Sequence, residues 1–431
     1  MSRSASGSLA ARVPRSLLDA QAFAWPAPDA DGLLAVRLQW AEGRLIRVEP
    51  IADDEPAALE RLPLVLTPLV EPHAHLDKAF TATAFPNRAG TMEAALAANR
   101  CEFAERTAEQ VLERGERALQ LAWRNGVRAI RSHIDGVGPA ARPSWEALRQ
   151  LQQRWSGRLE LQLVLLVPLH HWGTPEGEAQ AQELAAAGTL LGGVLGPPYR
   201  FNAEAPQGVR QLLRLAERVG TGVDIHVDES DSQPGRGVAL LARTVIEQRL
   251  AVPITCSHAS SLGLLSGRRL AQVSEQMAAA ELTVVALPAT NLWLLGRRPE
   301  GTPLLRPMAP VAALQQAGVP VAVGGDNVQD PWFPGGDFDP LAVLGLAAVA
   351  FHLVPWERQG LAPFTTAAAR LLGLEWDGVL RPGAPADLVV LGVSDWNGLL
   401  TRSPQRRVLR QGAWLEPPAY EAPSPLLAAC R

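Results

Sequence analysis

The sequence predicts an α/β fold: a (β/α)8 barrel of the TIM type, with a small β-sandwich domain formed by the N- and C-terminal segments. Apolar, β-branched runs recur along the chain, and each ends in a polar or Gly/Pro cluster. From the second run onward, successive run ends lie 28 to 38 residues apart, which is about the length of one strand–helix–strand step. The eight run ends are Glu71–His73, His133, Pro168, Gly196, His226, His258, Pro288 and Asp326.

The segments between these runs are predicted to be helices. Thr107 and Gln110 have the spacing of a capping box, and Gly126 follows the end of the same segment. The gap between the first two runs is much longer than the others and holds an extra helical segment, GTMEAALAANRCEFAE. Alternation of strands and helices at this spacing indicates a parallel sheet, and eight units close a barrel.

Short strand-like runs flank the barrel segment on both sides, with hairpin turns expected at Glu42–Gly43 and Gln411–Gly412. We predict three parts: a disordered lead-in at 1–15, one small β-domain from 16–67 and 380–431, and the barrel at 68–379. Two unrelated terminal appendages are the alternative.

Composition excludes several classes of protein. The net charge of −4 and the pI of about 6.1 argue against nucleic acid as a partner. No run reaches the roughly 18 apolar residues that a membrane span needs. The N-terminus lacks the apolar stretch of a secretory signal, although an Arg/Ser-rich transit segment stays open. Three widely spaced cysteines suit a reducing compartment, so we expect a cytoplasmic protein.

Five of the eight histidines lie at predicted strand ends. In a parallel barrel these ends share one face, where barrel enzymes place their chemistry. His73 and His75 alternate along a strand and therefore point the same way. Imidazole and carboxylate donors suit zinc or ferrous iron. The sequence therefore predicts one divalent metal ion bound by His73, His75, His226 and Asp326.

Three further residues near these ends have two readings each. Glu229 follows His226 by three positions and is either a proton carrier or a solvated loop carboxylate. His258, on the next strand, is either part of the site or a core histidine bonded to backbone. His133 either lines the pocket or supports a metal ligand from behind.

Several stretches resemble the amidohydrolase superfamily, in particular its cytosine deaminase branch, which is related to the N-isopropylammelide amidohydrolases. The stretches are VEPHAHLDKAF, VRAIRSHID, VDIHVDES, ITCSHASSLG, TNLWLLGR, VGGDNVQDPWFPGGDFDPL and GVLRPGAPADLVVL. The resemblance runs from about residue 33 to about residue 415. It implies a metal-dependent hydrolase that removes an exocyclic amine from a small nitrogen heterocycle, and it implies a homo-oligomer.

The resemblance also implies roles for the residues. One iron or zinc ion activates a water molecule, which attacks the ring carbon that bears the amine. Asp326 takes the proton of that water, His258 holds the attacking oxygen, and Glu229 protonates the adjacent ring nitrogen. No lysine ends the fourth strand (GGVLGPP), which argues against a second metal ion. For the substrate, Trp332 is expected to cover one face of the ring, and Lys78 and Asn327 to touch its edge.

The chain departs from the cytosine deaminase pattern at the substrate. Leu169 follows Pro168 where that branch has a glutamine that binds the pyrimidine amide, and Asn327 stands where it has an aspartate. Losing a hydrogen-bonding group from such a site costs orders of magnitude in specificity. We therefore expect a cytosine-like deaminase with another substrate, such as isocytosine, a triazine or a creatinine-like ring. An enzyme releasing an alkylamine, as N-isopropylammelide amidohydrolases do, and an inactive binding scaffold are the alternatives.

Overall fold

The computed structural model describes residues 6–51, 61–197, 204–298 and 300–416. The chain divides into two compact units. One contains the chain up to Pro68 and from Gly378 onward, and the other runs from Leu69 to Asp377. Among the described residues, no helix combines the length and the apolar character that crossing a membrane requires.

Fifteen strands and thirteen α-helices are present in the described part of the chain. The strands are β1 (Gly7–Pro14), β2 (Leu33–Ala41), β3 (Arg44–Pro50), β4 (Val65–Leu66), β5 (Leu69–Ala74), β6 (Val127–Asp135), β7 (Glu160–Leu166), β8 (Leu190–Leu195), β9 (Val223–Val227), β10 (Ile254–His258), β11 (Thr283–Ala286), β12 (Val321–Val323), β13 (Leu388–Leu391), β14 (Arg406–Arg410) and β15 (Ala413–Trp414). The helices are α1 (Met92–Glu105), α2 (Ala108–Arg124), α3 (Ala141–Trp155), α4 (Pro175–Ala186), α5 (Glu204–Val219), α6 (Arg236–Gln248), α7 (Gly267–Ala279), α8 (Pro288–Leu294), α9 (Val311–Gln316), α10 (Pro340–Ala350), α11 (Arg358–Leu361), α12 (Thr366–Leu371) and α13 (Trp396–Thr401).

The larger unit is the predicted barrel. Strands β5 to β12 form one parallel sheet in sequence order. A parallel bridge between Ala74 and Asp326 joins its first and last strands, and the Asp326 N–H donates to the His73 carbonyl at 3.0 Å. The TIM-type barrel is confirmed, and the carboxyl ends of its strands lie on one face.

Local sequence signals explain where the helices around the barrel begin. The capping box at the start of α2 is confirmed: Gln110 N–H donates to Thr107 Oγ1 at 3.3 Å, and Thr107 N–H donates to Gln110 Oε1 at 2.9 Å. The extra helix of the long first gap is α1, which begins after Thr91. It lies between β5 and β6 in the chain and supplies side chains to the site described below.

The smaller unit combines both ends of the chain. Strands β1, β2 and β3 form one antiparallel sheet, and β15, β14, β13 and β4 form another. Trp40 Nε1 donates to the Gly412 carbonyl at 3.0 Å, and its ring meets Trp414 edge-on at 6.3 Å. The terminal segments therefore pack together, and the alternative of two unrelated appendages is wrong.

Both predicted hairpin turns are present in the smaller unit. Glu42 and Gly43 have φ of 51° and 77°, and Gln411 and Gly412 have φ of 47° and 76°. Consecutive positive φ values are what tight two-residue hairpins require, and glycine at the second position adopts them without strain.

The disordered lead-in predicted for residues 1–15 is wrong for Gly7–Pro14. This segment is β1, and all eight of its residues pair with β2. Ala11 and Val13 alternate toward the interior and are fully buried, so burial outweighs the polar composition. Residues 1–5 of that prediction, and residues 417–431 of the predicted β-domain, lie outside the described part of the chain.

Candidate metal centre and active site

Four side chains predicted to bind metal converge at the carboxyl face of the barrel. His73 belongs to β5 and His75 follows it, His226 belongs to β9, and Asp326 follows β12. Nε2 of His75 lies 3.4 Å from Nε2 of both His73 and His226. Oδ1 of Asp326 lies 3.4 Å from His73 Nε2 and 3.3 Å from His75 Nε2.

This donor set fits a single divalent metal ion. Zinc bonds of roughly 2.0–2.2 Å place tetrahedral ligand atoms about 3.3–3.6 Å apart, close to the separations found here. Neither carboxylate oxygen of Asp326 has a hydrogen-bond partner among the described residues. Burial, followed by the neighbouring His133, holds the pKa of His73 well below its usual value, so its imidazole is neutral. A buried carboxylate among neutral imidazoles is a site for a cation.

Backbone strain accompanies the site. His258 and Asp326 have φ of 71° and 65°, in the left-handed region that residues with a Cβ seldom adopt. Each follows or ends a barrel strand, and the sharp turn of the chain there directs the side chain over the barrel mouth. Strained backbone of this kind is concentrated at functional sites.

A buried relay that sequence reasoning missed orients His73. Its Nδ1 lies 2.8 Å from Ser257 Oγ, and Ser257 Oγ donates to Asp224 Oδ1 at 2.7 Å. Arg131 Nη1 donates to the other oxygen of Asp224 at 2.9 Å. With Nδ1–H donating to Ser257, the lone pair of Nε2 is free for metal. The signal in the sequence was weak: Asp224 shares the strand face of His226, two positions away.

His133 lies behind the metal cluster, not on the cavity wall. Its ring stacks on His73 with centroids 3.8 Å apart, and its Nε2 is 3.2 Å from Asp224 Oδ1. The side chain is fully buried, and burial lowers its pKa. Of the two readings of His133, the one in which it lines the pocket and contacts substrate is corrected: the β6 backbone points its ring into the barrel interior, where it stacks on His73.

Glu229 and His258 face the same space, and Asn291 connects them. Asn291 Nδ2 lies 3.0 Å from His258 Nδ1 and 3.4 Å from Glu229 Oε1. Burial, and then the charge of Asp326, raises the pKa of Glu229 well above its usual value. Burial lowers the pKa of His258 to about 4. At neutral pH His258 is therefore a neutral imidazole, and the surroundings of Glu229 favour its protonated form. Asn291, on α8, was not predicted.

A cavity of about 790 Å³ opens over this cluster. It contains three of the expected substrate-contacting residues, Lys78, Asn327 and Trp332, together with Glu229 and His258. The rest of its wall is largely apolar and includes Met92, Leu96, Phe103, Val137, Leu166, Val167, Pro168, Val194, Leu195 and Pro197.

The polar edge of the cavity is preorganised by buried ion pairs. Lys78 Nζ donates to Asp135 Oδ1 at 2.7 Å and lies 5.9 Å from the centre of the Trp332 ring. Arg106 and Asn99 donate to the other oxygen of Asp135 at 3.2 and 3.3 Å. Lys78 and Arg106 hold the pKa of Asp135 below its usual value despite burial. Lys78 thus presents a fixed, charged donor to the cavity.

Leu169 is not among the residues that line the cavity. It begins a 3-10 turn, Leu169–Gly173, that directs its side chain toward Gly193 and Gly208, where added Cβ atoms would lie 2.7 and 2.9 Å from it. The preceding Pro168 does line the cavity. The prediction that Leu169 contacts substrate is therefore corrected, because the turn after β7 directs it into packing.

Comparison with known proteins now identifies the family. The amidohydrolase family profile matches residues 83–413. A pterin deaminase of Rhizobium rhizogenes is 31% identical over 391 residues, with 89% of each chain covered. The chain belongs to the amidohydrolase family. This confirms the resemblance to the amidohydrolases that the sequence motifs indicated.

A further relative and a solved structure are also similar to this amidohydrolase. The N-isopropylammelide isopropyl amidohydrolase of Pseudomonas is 24% identical, over 76% of this chain and 79% of its own length. The crystal structure of 5-methylcytosine deaminase from Klebsiella pneumoniae superimposes with a TM-score of 0.81 at 24% identity, covering 97% of this chain and all of the other. The amidohydrolase is accordingly an enzyme that hydrolyses C–N bonds, with a cluster of histidine and aspartate suited to a divalent metal.

Proposed function

We propose that this amidohydrolase is a metal-dependent deaminase of a small fused-ring heterocycle that carries a 2-amino-4-oxo pattern, the pterin class. The observation that carries the proposal is that Glu229 and Asp326 line one cavity above the histidine cluster, with the pKa of Glu229 raised and that of Asp326 lowered. A pair of carboxyl groups whose pKa values are separated supplies an acid and a base at the same pH.

His73, His75, His226 and Asp326 are the residues that would hold the metal ion, zinc or iron. Bound there, such an ion supplies a water molecule acidic enough to be deprotonated near neutral pH. Asp326 takes the proton of this water. Glu229 gives its proton to the ring nitrogen next to the attacked carbon, so negative charge does not accumulate on the ring. His258 faces the attacking oxygen.

The reaction balances without a further reagent. The water oxygen forms a bond to the ring carbon, and the bond from that carbon to the exocyclic nitrogen breaks. Asp326 passes its proton to the departing nitrogen, which leaves as ammonia. Glu229 recovers a proton from the product ring, which becomes the corresponding oxo compound.

The size of the cavity supports a fused ring over a single pyrimidine. Its volume of about 790 Å³ lies in the upper part of the range of roughly 300–1,000 Å³ found for sites of drug-sized ligands. The 31% identical relative is a pterin deaminase. We propose that Trp332 stacks on one face of the ring and that Lys78 donates to the ring carbonyl.

Release of an alkylamine is the second candidate, and a specific observation favours it. Val137 and Val194 line the cavity and are 57% and 60% exposed, so its mouth is apolar. An N-alkyl group on the substrate would find apolar surface there, and an N-isopropylammelide amidohydrolase is among the relatives.

The test is a substrate panel assayed with purified protein loaded with zinc or with iron. The panel contains pterin, isocytosine, cytosine, 5-methylcytosine and N-isopropylammelide, and both ammonia and isopropylamine are measured. We expect kcat/KM for pterin to exceed that for cytosine at least tenfold. Preference for cytosine would contradict the fused-ring proposal, and isopropylamine release would favour the second candidate. Release of neither product from any compound would support the binding-scaffold alternative.

A further inference from the structure

Asn291 occupies a position from which it can decide the protonation pattern of His258. It lies on α8, which begins directly after β11, and its own N–H donates to the Leu287 carbonyl at 3.2 Å. The residue is 1% exposed, and its amide nitrogen lies 3.0 Å from His258 Nδ1 and 3.4 Å from Glu229 Oε1, two atoms that are themselves 3.4 Å apart.

The hydrogen-bonding groups around His258 determine which nitrogen of its ring carries the hydrogen. A carboxamide nitrogen only donates, so at 3.0 Å from Asn291 Nδ2 the Nδ1 of His258 must accept. A neutral imidazole has one N–H, which is then on Nε2. The same amide nitrogen donates to Glu229 Oε1 at 3.4 Å, so one NH2 group supplies both hydrogen bonds.

The other ring nitrogen faces the chemistry. Nε2 of His258 is buried and has no hydrogen-bond partner among the described residues, and His258 lines the cavity. One donor atom each of His258, His73 and Asp326 lie within 4.8 Å of one another. A nitrogen that carries hydrogen has no lone pair for a metal ion, but it can donate to an oxygen atom.

We propose that Asn291 is a positioning residue that holds His258 as the Nε2–H tautomer. His258 then acts as a hydrogen-bond donor to the oxygen that attacks the ring carbon, and not as a further metal ligand or a base. The catalytic meaning of this tautomer rests on the proposed deaminase function. The tautomer itself does not, and it can be measured on protein of any activity.

The test exchanges the donor for an acceptor of the same shape. In Asn291→Asp a carboxylate faces Nδ1 and draws the hydrogen to that nitrogen. Nitrogen-15 NMR of protein labelled at histidine reports the tautomer, with the His258 signals assigned by their loss in His258→Gln. We expect Nε2–H in the parent and Nδ1–H in Asn291→Asp. Observing Nδ1–H in the parent would overturn the inference.

Kinetics separate this role from simple packing. Removing one preorganised donor to a developing oxyanion costs about 10²–10³ in kcat, so we expect a loss of about 100-fold or more in Asn291→Asp, with KM and metal content little changed. Asn291→Leu removes the preference for one His258 tautomer without favouring the other, so its kcat should lie between those of the parent and Asn291→Asp. If Asn291 only filled space, the isosteric Asn291→Asp would have a higher kcat than Asn291→Leu. A higher kcat in Asn291→Asp than in Asn291→Leu would therefore overturn the inference.

A matched control carries the same chemical change elsewhere. Asn397 is exposed on α13 in the smaller unit, so Asn397→Asp should match the parent in kcat and in tautomer. Should the tautomers behave as expected while no compound of the panel is turned over, the proposed function would fail and the assignment of Asn291 would stand.

Discussion

The pKa values of two carboxyl groups in one cavity are shifted in opposite directions by their surroundings. Burial and the charge of Asp326 raise the pKa of Glu229. Burial acts in the same sense on Asp326, but the contact with His75 and the neighbouring His258 outweigh it and lower the pKa. The chain therefore assigns acid and base by environment and not by residue type.

Glu229→Gln tests the acid. Glutamine keeps the size and one oxygen but cannot deliver a proton, so kcat should fall by about 10²–10⁴. Because Glu229 is not among the metal donors, metal content measured by elemental analysis should stay at the parent value. Glu247→Gln, exposed on α6, is the control. Equal loss of metal in Glu229→Gln would show that its role is misassigned.

Asp326→Asn should fail in a different way. The substitution removes both the base and an anionic donor to the metal site, so activity falls by orders of magnitude and bound metal falls with it. Parallel elemental analysis of the two variants distinguishes the acid from the ligand. Turnover near the parent level in Asp326→Asn would refute the proton-transfer scheme.

The raised pKa of Glu229 gives the pH profile a direction. The proton needed for catalysis is present below that pKa and lost above it, so kcat/KM should decline on the alkaline side. A profile that rises steadily into the alkaline range would exclude Glu229 as the proton donor. The measurement requires metal content to be checked at each pH.

At the level of strands, β5 and β9 carry His73 and His226, and β9 and β10 carry Asp224 and Ser257, which support His73. The Ser257–Asp224 relay fixes which nitrogen of His73 faces the cluster. Ser257→Ala should therefore weaken metal binding by about 10- to 100-fold, measured by competition with a chromophoric chelator. Ser266→Ala is the control, because Ser266 is exposed and its side chain caps nothing at the start of α7. Unchanged metal affinity in Ser257→Ala would show that the Ser257–Asp224 relay does not support metal binding.

Strand ends were predictable from the sequence, whereas the direction of side chains after them was not. The apolar runs and their spacing identified all eight barrel strands, and the four residues predicted to bind metal converge at the ends of those strands. Leu169 was placed wrongly and the two readings of His133 stayed open, because each side-chain direction depends on geometry that the sequence pattern does not contain. One lies in a 3-10 turn, and the other lies on the interior face of β6. Asn291 lies in TNLWLLGR, one of the stretches that carry the resemblance, but no role follows from that stretch without the contact to His258.

At the scale of the molecule, the first strand belongs to the fold. Removing Gly7–Pro14 would expose the edge of β2 and the apolar face that β1 covers. We expect a chain that starts at Leu18 to unfold at a lower temperature and to aggregate more readily. Removal of residues 1–5 alone is the control. Equal thermal stability of the two truncations would contradict this role for β1.

At this scale the composition led to a wrong prediction of disorder. The N-terminal segment is rich in arginine and serine, and this hid the alternating burial pattern of the short strand β1. Pairing of the two chain ends was predictable from their hairpin turns, and the structure has it. A cytoplasmic location and a homo-oligomer remain predictions, to be measured by fractionation and by sedimentation.

The hydrogen bond from Asp326 to His73 joins the first barrel strand to the last residue of the metal cluster. A chain growing on the ribosome acquires His73, His75 and His226 long before Asp326, so the full set of ligands exists only once the eighth strand has been made. Metal uptake would then come at the end of synthesis, and retention of the ion would report a completed ring.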